Sequence, residues 1–145
     1  MTVRFKKLDP RACVPTYGTP YSAGADLYAL CNGEIQIEPG QTVLVHTGIA
    51  MEIPEGYVGL IYARSGLACK RGLAPANKVG VIDADYRGEI MVALHNHGQQ
   101  TQTLAEGERI AQMVIAPFLS VSYEECEELS DTVRGAGGFG STGRT

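Results

Sequence analysis

The stretch GVIDADYRGEIMVAL, residues 80–94, decides most of what can be read from this sequence. An apolar run ending at Ile82 leads into a turn that displays carboxylates, an aromatic ring and a guanidinium, and a second apolar run, 90–94, leaves it. Glycines bracket the turn and permit tight backbone conformations. The pattern predicts two strands joined by a short hairpin. Alone, the turn is equally typical of a solvated surface loop and of a rigid sheet that presents one acid beside one flat ring.

The composition is that of one ordinary globular domain. The chain has 145 residues, of which 44% are hydrophobic and 19% charged, enough to bury a substantial core. The net charge of −4 argues against a nucleic-acid polymer as partner, because such binders usually carry a basic face. It does not exclude a small anionic ligand, whose charge can be met locally by two arginines and a metal.

The chain shows no pattern for membrane insertion, secretion or disulfide stapling. Because no apolar run approaches about 18 residues, we expect no membrane span. The charged start, MTVRFKKL (1–8), reads as a strand rather than a signal sequence. Four scattered cysteines have no paired spacing and predict neither a zinc site nor a disulfide framework. We therefore expect reduced thiols and a cytoplasmic protein.

Short apolar runs separated by turn formers recur along the chain and predict an all-β sandwich or barrel. Only Ser65–Arg71 is typical of a helix, with Ser65 as its cap. No alternation of strands and helices appears, so a parallel nucleotide-binding sheet is not expected. The further predicted strands are Glu34–Glu38, Thr42–His46, Ile49–Ile53, Tyr57–Tyr62, Ile110–Phe118 and Val121–Tyr123.

The C-terminal segment RGAGGFGSTGRT, 134–145, holds almost nothing that could enter a core. Glycine-rich termini are usually disordered. This one, however, places an aromatic ring, two hydroxyls and arginines among glycines whose N–H groups can approach a ligand. Phosphate and a flat ring could both be held by such a segment. Its GxGxxG spacings lack the strand and helix that a dinucleotide fingerprint requires, and we reject that reading.

Three other segments carry weak signals that gain weight together. ARSGLA (63–68) joins a hydroxyl and a guanidinium at a helix start, which suits a phosphate or simply a capped helix. AGADLYA (23–29) places an acid after a glycine turn. GERIAQM (107–113) puts an amide, Gln112, among apolar residues, where it needs partners. Together these groups suit a nucleoside triphosphate, a divalent metal and an attacking water.

In chain order, AGADLYA, ARSGLA, NKVGVIDADYRGE (77–89), GERIAQM and RGAGGFGSTG (134–143) resemble the five motifs of the trimeric dUTPases. The resemblance covers essentially the whole chain, and the one departure is Ala63, where this family often has proline. It implies a β-clip or jelly-roll-like sandwich with one short helix, assembled as a homotrimer. It also implies one β domain, 1–130, and a flexible glycine-rich tail, 131–145, that closes a site on a neighbouring subunit.

The resemblance further implies hydrolysis of dUTP to dUMP and pyrophosphate, with Asp83 as the general base. Tyr86 would pack under the deoxyribose and exclude a 2′-hydroxyl. Other residues would read the uracil edge in a hairpin pocket, namely Asn77, Gly80, Val81, Ile82 and Met91. Asp85, Arg87 and Glu89 would be structural or interfacial.

For the phosphates, the resemblance implies binding by Arg64, Ser65, Gly66 and Gln112. Mg²⁺ would be held mainly by the substrate phosphates, with Asp26 acting through water. In the tail, Phe139 would stack on the uracil, and Arg134, Gly140, Ser141 and Thr142 would engage the β- and γ-phosphates.

Two rival functions remain at this point. dCTP deaminases, or bifunctional deaminase–dUTPases, share this fold, but their chemistry employs a glutamate where this chain has Ala93. A non-catalytic nucleotide-binding relative is the second rival, and the presence of both Asp83 and the full tail argues against it. His95 and His97 could face one side of a strand, yet no third metal ligand is evident, so we expect a surface or interface pair.

Overall fold

The computed structural model describes residues 1–138. They contain eleven strands and one helix. The strands are β1 Arg4–Lys7, β2 Thr16–Tyr17, β3 Ala25–Tyr28, β4 Glu34–Ile37, β5 Thr42–Glu52, β6 Tyr57–Tyr62, β7 Leu73–Pro75, β8 Gly80–Ile82, β9 Glu89–Asn96, β10 Gln102–Ala105 and β11 Arg109–Pro117, and the helix α1 is Ser65–Arg71. No helix among these residues is long and apolar enough to cross a membrane.

Two larger antiparallel sheets pack over one core. One has the order β1-β5-β9-β7 and the other the order β2-β3-β11-β6-β8, while β10 and β4 pair separately. Buried side chains alternate along β9 with period two. Residues from both sheets, such as Leu94 and Leu27, belong to one buried cluster. Each such side chain contributes about 2 kcal/mol by leaving water. The all-β, jelly-roll-like sandwich with one short helix is confirmed.

The prediction of a hairpin at residues 80–94 is wrong. β8 pairs with β6, at Gly80 opposite Ile61, whereas β9 pairs with β5 and β7 in the other sheet. Residues 83–88 therefore form a crossover between the two sheets. The local sequence encodes strand, turn and strand, but partner choice depends on distant residues that the local pattern does not contain.

Thr42–His46 and Ile49–Ile53, predicted as two strands, coincide with the single strand β5, which ends at Glu52. Its register shifts between His46 and Ala50, where Gly48 has a φ of +68°. A Cβ at Gly48 would lie 2.6 Å from Leu30 Cδ2, so both the backbone angle and the close packing require glycine.

Two further details correct the sequence reading. The N-cap of α1 is Arg64, in extended conformation and without a side-chain capping bond, and Ser65 is the first helical residue. The predicted strand Val121–Tyr123 does not form in the described chain. Val121 is 59% and Tyr123 96% exposed, because their alternating side chains have no sheet to pack against.

Candidate functional site

A cleft of about 470 Å³ opens where β3, β11 and the end of β6 lie side by side. Its polar lining comes from three separate sequence segments. It includes the side chains of Ser22, Asp26, Arg64, Ser65, Arg109 and Gln112. The structure thus brings together Asp26 and four of the predicted phosphate-binding residues, Arg64, Ser65, Gly66 and Gln112.

Asp26 is the centre of the charge in this cleft. Arg64 Nε donates to its Oδ1 at 2.7 Å, and Arg109 Nη1 donates to its Oδ2 at 3.2 Å. The Asp26 side chain is only 13% exposed. Two guanidinium groups face one carboxylate, so the cluster retains an excess of positive charge. Because each guanidinium has further N–H donors, the cleft is suited to bind an anion.

Gln112 is fixed by a close backbone approach. Its Nε2 donates to the carbonyl of Ala63 at 2.9 Å, which satisfies the amide that the sequence places among apolar residues. A Cβ built on Gly24 would lie 2.5 Å from Gln112 Oε1. Glycine is therefore needed at position 24 for Gln112 to hold this position.

Arg109 is a cleft residue that the sequence reading did not single out. In a regular strand, residues three apart point to opposite faces. Here the register of β11 against β3 shifts between Arg109 and Ala111, and both Ile110 and Ala111 are fully buried. The bulge turns Arg109 and Gln112 to the same face. The shared face of Arg109 and Gln112 could have been predicted only by locating the bulge. The sequence carries no signal for its position.

A second group of predicted site residues lies on the crossover between β8 and β9. Asp83 is exposed, and its carbonyl accepts the Tyr86 N–H at 3.2 Å. The Tyr86 hydroxyl donates to the carbonyl of Glu89 at 2.9 Å. A Cβ on Gly88 would clash with that hydroxyl, so the ring keeps this position only while residue 88 is a glycine. Arg87 Nη1 closes the turn by donating to the Ala84 carbonyl at 2.6 Å.

Asn77 and β8 lie next to this crossover. Lys78 has a φ of +65°, and this turn places the Asn77 amide nitrogen 3.4 Å from a Cβ built on Gly80. Val81 is 61% exposed, and Ile82 pairs with Gly59. Met91 lies in the other sheet, opposite His46. Asn77 and the β8 backbone are thus adjacent, whereas Met91 comes from a different sheet.

The two groups lie towards opposite ends of β6. Gly80 is opposite Ile61 and Ile82 is opposite Gly59, so the chain runs away from Arg64 before it reaches Asp83. At about 3.3 Å per residue, Ile82 opposite Gly59 lies about 10 Å along β6 from Tyr62, the last residue of that strand, and Asp83 follows Ile82 on the far side. Asp83 and Tyr86 do not line the cleft that contains Arg64. Within one chain, the predicted base and the predicted phosphate-binding residues remain apart.

Arg134 lies in an exposed turn, where its Nε donates to the Gly137 carbonyl at 2.8 Å, and it does not line the cleft. Phe139, Gly140, Ser141 and Thr142 lie outside the described residues.

His95 and His97 stack edge to face with ring centroids 4.4 Å apart. Burial and then the neighbouring His95 lower the pKa of His97.

The side chains lining the cleft fit a metal ion that binds together with the substrate phosphates, rather than one that the protein alone would hold. Within residues 1–138, no three His, Cys, Asp or Glu side chains are grouped so that they could hold a metal ion. Among the residues that the structure describes, Asp26 is the one carboxylate lining the cleft, and both of its oxygens already accept from arginines. Mg²⁺ commonly keeps several waters and uses one carboxylate plus substrate phosphates, which matches this arrangement.

Fold and cleft together define a β-sandwich protein with a cleft lined by arginines between its strands. The family model of the dUTPases matches residues 11–143. A deoxyuridine 5′-triphosphate nucleotidohydrolase of Acinetobacter baumannii is 50% identical over 99% of both chains, and one of Syntrophotalea carbinolica is 47% identical over 99% of this chain and 97% of its own. The chain belongs to the dUTPase family.

Solved structures agree with this assignment. The dUTPase of Staphylococcus bacteriophage 80alpha, solved with dUPNHPP, superposes with a TM-score of 0.91 at 30% identity and 98% coverage of both chains. A mutant dUTPase of the S. aureus phage phi11, whose structure describes coordination of a structural Mg(II) ion, gives 0.80 at 27% identity, covering 88% of this chain and 98% of its own.

Proposed function

We propose that this protein hydrolyses dUTP to dUMP and pyrophosphate, which limits uracil incorporation into DNA and supplies dUMP for thymidylate synthesis. The observation that carries the proposal is the cleft in which Asp26 orients two arginines. Its excess positive charge suits a polyphosphate. Membership of the dUTPase family and the near-full-length relatives named for this activity identify the nucleotide.

Asp83 is the general base that orients and deprotonates the water attacking the α-phosphorus. Its exposed carboxylate follows directly on β8 and is accessible to a water. A positioned general base contributes about 10²- to 10⁴-fold in rate, and neutralisation of phosphate charge contributes much of the rest.

Arg64, Ser65, Gly66 and Gln112 bind the phosphates, with Arg109 as an additional cation in the same cleft. Asp26 would hold Mg²⁺ through water, while the substrate phosphates supply most of its ligands. When bound, the ion neutralises charge on the polyphosphate. In this chain Asp26 also fixes both arginines, so it organises the cleft whether or not the ion is bound.

The base and sugar are read by the crossover region. Asn77 both donates and accepts hydrogen bonds, as a uracil edge requires, and the backbone of Gly80, Val81 and Ile82, together with Met91, completes that pocket. Tyr86 packs against the deoxyribose. Its ring is already fixed by the bond to the Glu89 carbonyl, which supports a role in excluding a 2′-hydroxyl.

The separation of the two groups along β6 supports a site shared between copies of the chain, and the resemblance to the trimeric dUTPases makes that assembly a homotrimer. Because Asp83 and Arg64 lie beyond opposite ends of the segment of β6 that pairs with β8, a site that uses both must join different copies of the chain. Closed cyclic assemblies provide such shared sites. The partners are thus dUTP and further copies of this chain. We place the enzyme in the cytoplasm, a location that its four free cysteines support.

In this proposal, residues 1–130 form the single β domain and 131–145 a tail that closes over a neighbouring site. Arg134, Phe139, Gly140, Ser141 and Thr142 are its ligand-binding residues. Truncation after Asp131 should preserve the trimer and remove most activity. Sedimentation and pyrophosphate release test this, and a truncated chain that hydrolyses dUTP at the full rate would refute the closing tail.

The decisive experiment is a side-by-side assay of dUTP, dCTP, dTTP and UTP with magnesium, in which pyrophosphate and ammonia are scored separately. We expect pyrophosphate from dUTP and little product from the other three. Ammonia from dCTP would instead indicate a deaminase, and no product from any nucleotide would leave a binding protein.

A further inference from the structure

The carboxylate of Glu89 joins the start of β9 to the bulge in β5. Its Oε1 accepts the Gly48 N–H at 2.7 Å, and its Oε2 lies 2.9 Å from His46 Nδ1. The side chain is 20% exposed. Burial raises the pKa of Glu89, but the hydrogen bonds from His46 and Gly48 outweigh it, and the net pKa lies below the ordinary value. The ionised carboxylate is thus the form that this contact stabilises.

A short chain of contacts leads from this carboxylate to the proposed reaction centre. The carbonyl of Glu89 accepts the hydroxyl of Tyr86 at 2.9 Å. The N–H of Tyr86 donates to the carbonyl of Asp83 at 3.2 Å. Because residue 89 is held to β5 through its side chain, its carbonyl is a fixed acceptor for the tyrosine ring. The crossover, exposed on much of its length, gains an anchor at its C-terminal end.

We propose that Glu89 is a positioning residue of the dUTPase reaction, acting through Tyr86. Clamped between His46 and the Gly48 N–H, it fixes the ring against which the sugar packs and so sets discrimination between deoxyribose and ribose. This inference rests on the proposed function, since it assigns Tyr86 to the sugar. It concerns a residue that the sequence reading left as structural or interfacial.

The test compares kcat/KM for dUTP and UTP in Glu89→Ala and His46→Ala. A displaced ring should lower the dUTP/UTP ratio about tenfold in Glu89→Ala, because small misplacements at a reacting site are costly. His46→Ala removes one of the two clamping bonds and should lower the ratio less. His46 is 56% exposed, so this variant should fold even if Glu89→Ala does not. Glu34→Gln, an exposed glutamate on β4, is the matched control and should leave the ratio unchanged.

A double-mutant cycle with Tyr86→Phe separates positioning from general stability. In that background the hydroxyl that reaches the Glu89 carbonyl is absent, so Glu89→Ala should change the ratio little further. Hydrogen exchange of residues 83–89 without nucleotide should rise in Glu89→Ala and not in Glu34→Gln.

An unchanged dUTP/UTP ratio of kcat/KM in Glu89→Ala, including equal losses for both nucleotides, would overturn the positioning role. An undiminished effect of Glu89→Ala in the Tyr86→Phe background would overturn it as well. Failure of the proposed function looks different, because the unaltered protein would then release no pyrophosphate from dUTP at all.

Discussion

The Asp26 cleft and the 83–88 crossover are assembled by different means. In the cleft, Arg64 at the N-cap of α1 and Arg109 on β11 are fixed by ion pairs to the carboxylate of Asp26 on β3, whose side chain is 13% exposed. In the crossover, the segment joins two sheets and is held mainly by bonds to backbone carbonyls, with Glu89 as its side-chain anchor. Ion pairs fix the side chains of the cleft, whereas the path of the chain between two sheets positions the crossover.

This difference explains what each region can do alone. The cleft is suited to an anion within a single copy of the chain, because Asp26 already orients its two arginines. The crossover presents an exposed acid and a fixed ring but lacks the cations that line the cleft. Since the two lie towards opposite ends of β6, the chemistry that we propose requires the cleft of one copy to meet the crossover of another.

The largest effect should come from removing the acid of the crossover. Asp83→Asn preserves shape and removes the base, so we expect hydrolysis to fall about 10²- to 10⁴-fold while a non-hydrolysable dUTP analogue still binds. Pyrophosphate release and calorimetry measure the two effects. Undiminished turnover in this variant would exclude Asp83 as the base.

Mixing two inactive variants tests whether one site combines the cleft of one copy of the chain with the crossover of another. Asp83→Asn and Arg64→Ala should each be nearly inactive alone. If a site takes Arg64 from one copy and Asp83 from another, randomly mixed and reassembled oligomers regain about one quarter of the activity, the product of two halves. Mixtures that stay as inactive as their components would place both residues in one chain's site.

Gly24→Ala should loosen the cleft and spare the crossover. Its new Cβ would lie 2.5 Å from Gln112 Oε1, so the amide must leave the Ala63 carbonyl. We expect the KM for dUTP to rise about tenfold with little change in the dUTP/UTP ratio. Gly18→Ala is the control, because its Cβ would meet Ser22 Oγ at an ordinary 3.7 Å. Equal KM values for the two variants would argue against a rigid Gln112.

The smallest effect concerns acid stability at the anchor of the crossover. A depressed pKa means that the Glu89 carboxylate stabilises the fold above the ordinary glutamate pKa of about 4.3. That contribution is lost as pH falls through the lower pKa of the folded state. The melting temperature of Glu89→Gln should therefore lie below that of the unaltered protein at neutral pH. The difference between the two melting temperatures should become smaller below about pH 4. A melting-temperature difference independent of pH would contradict the role of the charge.

Much of the fold follows from local patterns. Tyr57–Tyr62 and Ser65–Arg71 form as predicted, because a short apolar run that follows a turn and a short helix-forming segment are local signals. Partner choice is not local. The segment around Ile82 reads as half of a hairpin, yet it pairs with β6. Val121–Tyr123 has the alternation of a strand and finds no sheet.

The sequence by itself determined the chemical groups of this protein: Asp83 beside Tyr86, Arg64 before a short helix, and Gln112 in a strand. The tertiary structure decided which of them meet. A bulge in β11 turns Arg109 towards Asp26, and the pairing of β8 with β6 carries Asp83 away from Arg64. Residue types and spacings are fixed by the chain, whereas register and sheet membership depend on contacts between distant segments.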